Sequence, residues 1–165
     1  MSAASVYLKD VHLQFTRLKK LAEDALAQVS DEELLVTLDP ESNSLAIIVK
    51  HMAGNLRSRF TDFLTSDGEK PDRNRDAEFE IEGAPTRDAM MASWERGWNV
   101  LFETLETLTD DDVLLEVTIR GEPLSVIQAL DRQMTHHAYH VGQIVFLAKH
   151  FRSSSWRNLS IRRRR

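Results

Sequence analysis

The sequence contains no cysteine, and that absence closes off several kinds of chemistry at once. Disulfides, zinc–thiolate clusters, iron–sulfur centres and a cysteine nucleophile are all excluded, so any thiol in the chemistry arrives with a ligand. Long apolar runs are missing as well. No window approaches the roughly 18 uninterrupted apolar residues of a membrane-spanning helix, and the N-terminus lacks a charged stretch followed by an apolar core. A cytoplasmic protein with no membrane partner is the expectation. Positive charge has no face of its own: the formal net charge is −5, which argues against a nucleic-acid partner, because such proteins need a basic footprint for phosphates. The exception, Arg162-Arg163-Arg164-Arg165, reads as part of a solvated C-terminal tail over about 153–165.

With 165 residues and 42% apolar composition, the chain is expected to be a single domain over 1–165. A chain of this size buries roughly two-thirds of its unfolded surface and needs no covalent staple. Between Val6 and Val29, apolar residues at Leu8, Val11, Phe15, Leu18, Ala22, Ala25 and Val29 alternate spacings of three and four, the mark of a helix with one buried seam. His12 falls beside that seam and reads as a boundary residue. The stretch from Asp31 to Pro40 breaks the pattern and reads as a connection.

A second helix is predicted after Glu41-Ser42-Asn43-Ser44, running through Leu45, Ile48, Val49, Met52, Leu56, Phe60 and Phe63 to a stop at Ser66-Asp67-Gly68. The charged segment 67–85 shows neither helical nor strand period. At that length it is either a mobile solvated loop or a charged cover over one end of the fold, with Phe79 and Ile81 as its only apolar anchors. Thr86 opens a third helix through Trp94, Trp98 and Leu105. Asp110-Asp111-Asp112 then lacks the glycine and alternating oxygens of a calcium loop and reads as a cap. Alternation from Val113 to Leu124, with Gly121-Glu122-Pro123, predicts a short strand and turn or a small hairpin. Ser125 with Gln128 forms a capping box for a last helix from Val126 to about His150. The fold class is therefore all-α, an antiparallel four-helix bundle with a short hairpin or turn before the last helix.

That last helix carries the chemistry. Three of the six histidines fall at 136, 137 and 140. On a helix His136 and His140 are i and i+4, so their rings converge on a common point, which is a chelating geometry. Periodicity alone does not choose His136 over His137, since His137 falls on the apolar arc; metal geometry favours the i, i+4 pair, because His137 and His140 diverge slightly more. The pair needs a third ligand, and His51 on the second helix is the best donor. Neutral imidazole suits zinc first and nickel as the alternative. Asn55, Tyr139, Gln143 and His137 are candidates for positions behind the ligands or against a substrate. The structural alternative, histidines lining a bundle without metal, leaves several imidazoles to satisfy.

His51 in Val-Lys-His-Met-Ala-Gly-Asn-Leu, and His136 and His140 in His-His-Ala-Tyr-His-Val-Gly-Gln, give the chain a resemblance to the DinB-like superfamily, spanning nearly its whole length. The charged run from Asp67 and the preceding Asn-Leu-Arg-Ser-Arg-Phe are similar to an uncharacterised bacterial branch of it. The resemblance implies a four-helix bundle related to thiol-dependent transferases, in which the three corresponding histidines bind one divalent metal. Two functions follow as expectations. One is a metal-dependent transferase or hydrolase that activates a low-molecular-weight thiol or water for a small-molecule substrate, with a homodimer as a candidate assembly. The other is a non-catalytic, metal-stabilised bundle acting in binding or in stress-response interactions.

Overall fold

In the computed structural model, which describes residues 2–81, 83 and 85–160, the chain is mostly helical. It forms α1 (Ala3–Leu26), α2 (Asp31–Leu35), α3 (Leu45–Phe60), α4 (Arg87–Thr107), β1 (Glu116–Ile119), β2 (Glu122–Ser125) and α5 (Val126–Arg152), in that order. Arg162–Arg165 lie outside the described residues.

Each long helix begins at a hydroxyl that accepts one of the amides left free by helical geometry. Ser2 accepts from the Ser5 N–H, Ser44 from Ile47, Thr86 from Ala89 and Ser125 from Gln128. At α5 the box is closed by the Gln128 side chain, which accepts from the Ser125 N–H at 2.8 Å. A second box at Ser30 and Glu33 opens α2, a five-residue helix inside the stretch expected to be only a connection. Helix α3 stops at Phe60, not near Ser66 as its apolar spacing suggests. Asp62 takes the left-handed conformation (φ 48°), and Phe63 buries its ring against Phe60 from a turn.

Helix α1 packs along α5 and α3 along α4, while α3 also meets α5 and α1 meets α4. Between them lies one apolar core that includes Phe15, Met52, Trp94, Trp98, Leu130 and Ile144. The α3–α4 contact is close because Gly97 carries no side chain: a Cβ there would stand 2.9 Å from the Ala53 carbonyl oxygen.

The alternation before α5 resolves into a two-stranded antiparallel hairpin, with Ile119 opposite Glu122 and Val117 opposite Leu124. Val113–Leu115, expected to join the strand, form turns instead. The two-residue loop is Arg120-Gly121, both at positive φ (56° and 74°), the conformation that matches the twist of paired strands. Asp67 pins this loop by accepting from the N–H groups of Arg120 (2.9 Å) and Gly121 (2.8 Å). Beyond α5, Trp156 and Leu159 pack on the core, and Arg157 exchanges two backbone hydrogen bonds with the Gln28 side chain.

A candidate metal centre

Helices α3 and α5 lie side by side, and this places His51 of α3 against the pair on α5. His51, His136 and His140 each offer a ring nitrogen, and the three atoms lie within 4.8 Å of one another. The Nε2 atoms of His51 and His136 are 3.2 Å apart. Two nitrogens bound to one tetrahedral zinc at about 2.05 Å would be separated by roughly 3.3 Å, so this edge of the cluster already has the span a metal requires.

The outer nitrogens are held from behind. His51 Nδ1 stands 2.9 Å from Glu78 Oε2, and His140 Nδ1 stands 2.8 Å from Gln143 Oε1. A carboxylate and an amide oxygen only accept, so each of these Nδ1 atoms carries the proton and Nε2 presents its lone pair inward. Burial disfavours the charged imidazolium: His136 is lowered to about 2 and His140 to about 4, chiefly by desolvation and then, for His136, by the neighbouring histidines. Neutral rings with inward lone pairs are what metal binding needs.

Glu78 comes from the charged segment after α3, where Asp76–Phe79 form a short 3₁₀ turn. Its carboxylate is buried beneath Arg73, whose Nε and Nη2 donate to Oε1 and Oε2, both at 2.8 Å. Desolvation alone would raise its pKa, but the hydrogen bonds from His51 and Arg73 outweigh it and hold the group below the usual glutamate range. The close approach depends on Gly54, because a Cβ there would come within 2.4 Å of Glu78 Oε1. Phe79 completes the contact, its ring centroid 4.8 Å from that of His51. Ile81 packs against the core, so both apolar anchors of the segment are engaged.

The other candidate residues separate by position. Asn55 is buried, and its carboxamide hydrogen-bonds the carboxamide of Gln133. Tyr139 is about half exposed and stands edge-on to His136 at the mouth of the site. Gln143 is the partner of His140. His137 faces away: fully buried, lowered to about 3 by desolvation, it donates from Nδ1 to the Gln133 carbonyl at 2.9 Å and packs between Phe15 and Trp98. Its Nε2 and the Trp98 Nε1–H, one acceptor and one donor, are left without partners among the described residues.

Gln133 is a further member of the site. Its Nε2 is 3.4 Å from His136 Nδ1 and 3.1 Å from His137 Nδ1. Because His137 Nδ1 already donates to a carbonyl, two N–H groups face each other in this orientation. Turning the Gln133 and Asn55 carboxamides together keeps the hydrogen bond between them, now from Asn55 Nδ2 to Gln133 Oε1, and presents that oxygen to both rings, so that His136 carries its proton on Nδ1 and Nε2 is free as a ligand. Glu78, Arg73 and Gln133 escape sequence reasoning. For Glu78 the available signal is its neighbour Phe79, an apolar anchor in an otherwise charged segment.

The histidines open onto a cavity of about 280 Å³. Fold and site together define a mostly helical protein with a largely buried three-histidine cluster that could hold a metal ion. Residues 2–165 match the family model DUF1572, described as a protein of unknown function, and the chain belongs to that family. No curated protein matches it. No helix among the described residues is long and apolar enough to cross a membrane.

Proposed function

We propose that this chain is a metal-dependent enzyme of the DinB-like type, an antiparallel four-helix bundle in which His51, His136 and His140 hold one divalent ion for transferase or hydrolase chemistry. The observation that carries the reading is the convergence of three imidazoles at the wall of an open cavity, two of them with their outer nitrogens held by Glu78 and Gln143. Zinc is the first choice for an all-imidazole set, with nickel as the alternative. Bound there, such an ion supplies a Lewis acid that lowers the pKa of a coordinating thiol or water.

The chain's own residues prepare for that role. Glu78 and Gln143 hold the tautomers and orientations of His51 and His140, and Gln133 does the same for His136. Tyr139 and Phe79 form the apolar part of the cavity wall and limit access of water. A chain without cysteine needs an outside thiol for thiol transfer, and the cavity gives a low-molecular-weight thiol room to enter.

A purely structural metal centre is the other reading; such centres are closed by four protein ligands, whereas catalytic ones keep a position open. The cavity beside the cluster favours catalysis. Cobalt-loaded protein tests this: its visible spectrum should change when 2-mercaptoethanol is added. An unchanged spectrum in protein that demonstrably holds cobalt would favour the structural reading.

A further inference from the structure

Five arginines line the cavity beside the histidines, Arg59, Arg73, Arg75, Arg120 and Arg132, and among the described residues no carboxylate does. The chain as a whole is acidic, so composition does not explain this concentration of one sign in one concave site. Three of the five are accounted for by partners behind the wall. Arg73 is bound by both oxygens of Glu78, Arg59 by Glu69 and the Gly68 carbonyl, and Arg120 by Glu69 at 2.8 Å. Glu69 and Glu78 thus lock the charged segment onto α3 and the hairpin, and the lining keeps a surplus of three positive charges over them.

Arg75 and Arg132 have no such employment. Among the described residues their nearest acidic groups, Asp76 and Glu122, stand at 3.7 Å, beyond hydrogen-bonding distance. Both carboxylates are mostly exposed, where water screens them. The two side chains are themselves about half exposed, 50% for Arg75 and 47% for Arg132, so an incoming ligand can reach them. Arg75 is steadied over the face of Phe79 at 5.1 Å, an arrangement that leaves the guanidinium edge available for in-plane hydrogen bonds.

We propose that the cavity binds a small anionic molecule whose carboxylate or phosphate group is gripped by Arg75 and Arg132 while a second donor atom reaches the three histidines, a substrate class that rests on the metal-dependent reading above. Guanidinium matches planar oxyanions through paired charge-assisted hydrogen bonds, and a concave site of one sign raises the local concentration of the opposite charge. The volume of about 280 Å³ confines the occupant to small-molecule size.

Calorimetric titration of inorganic phosphate and, separately, malonate into zinc-loaded protein tests the assignment. The variants are Arg75→Gln, Arg132→Gln, the two combined, and Arg17→Gln on the exposed face of α1 as a charge-matched control. Each single cavity variant should weaken binding about tenfold, the worth of one charge-assisted bond. The double variant should bind neither anion measurably and Arg17→Gln should match wild type, while the stronger of the two anions identifies the oxyanion. Wild-type protein that binds neither at millimolar concentration, or a double variant that binds as wild type does, overturns the proposal. Zinc content measured on the same samples separates it from the metal reading: arginine-dependent binding by protein that holds no zinc keeps the anion site and removes the metal centre, whereas zinc without anion binding does the reverse.

Discussion

Glu78 Oε2 lies 2.9 Å from His51 Nδ1, joining the charged segment after α3 to the face of that helix that meets His136 and His140. The contact unites two features that look unrelated along the chain, a long polar loop and a lone helical histidine. It also ties residues 73–79 to α3: Glu78 and Arg73 neutralise each other in a site that neither could occupy alone.

Replacing Glu78 with glutamine should therefore reduce metal affinity about 10- to 100-fold, as loss of a partner behind a ligating histidine commonly does. It also leaves the buried Arg73 guanidinium short of a counter-charge, at a cost on the order of 3 kcal/mol. Chelator competition reads the first effect and urea denaturation of metal-free protein the second. Unchanged affinity would show that Glu78 serves only the loop.

Gly54→Ala probes the same contact from the opposite side. In an ordinary helix interior the change stabilises by about 1 kcal/mol. Here the added methyl meets the Glu78 carboxylate, so we expect lower metal affinity and a lower melting temperature. A more stable protein with full metal affinity would mean that the carboxylate has room to move aside.

Asp67 sets an acid limit on the hairpin. Desolvation would raise its pKa, but N–H groups of Gly121, Glu69 and Arg120 outweigh that and hold it well below the model-compound value of 3.8. Because the folded pKa is depressed, the unfolded chain takes up the proton first as pH falls. The stabilisation is thus present above about pH 4 and lost on further acidification. The stability difference between wild type and Asp67→Asn, from urea titrations at pH 7 and pH 3, should be larger at the higher pH, with the loss only begun at pH 3 because the folded carboxylate is still ionised there. An equal difference at both would contradict this.

The meeting of His51, His136 and His140 was legible in part because i, i+4 spacing brings His136 and His140 together, and His51 is on another helix with an apolar face. The capped starts of α3, α4 and α5 were legible for the same local reason. The Glu78 contact was not, because a 3₁₀ turn in a charged run has no period, and a partner 27 residues away is chosen by tertiary packing. Helix α2 is too short for periodicity to register, although the Ser30–Glu33 capping box was there to be read. The early end of α3 depends on Asp62 adopting positive φ, for which Phe63, continuing the apolar spacing, gives a misleading signal.

The central claim is that one divalent metal is held by His51, His136 and His140, with His137 serving the core. Metal stoichiometry of protein purified without an affinity tag, for wild type and for alanine variants at 51, 136, 137 and 140, tests it most directly. We predict about one equivalent in wild type and in His137→Ala, the latter destabilised by the cavity it leaves beside Phe15 and Trp98, and severe loss of metal in the other three. Metal retained by His136→Ala and lost by His137→Ala, or retained by all four, would contradict the account.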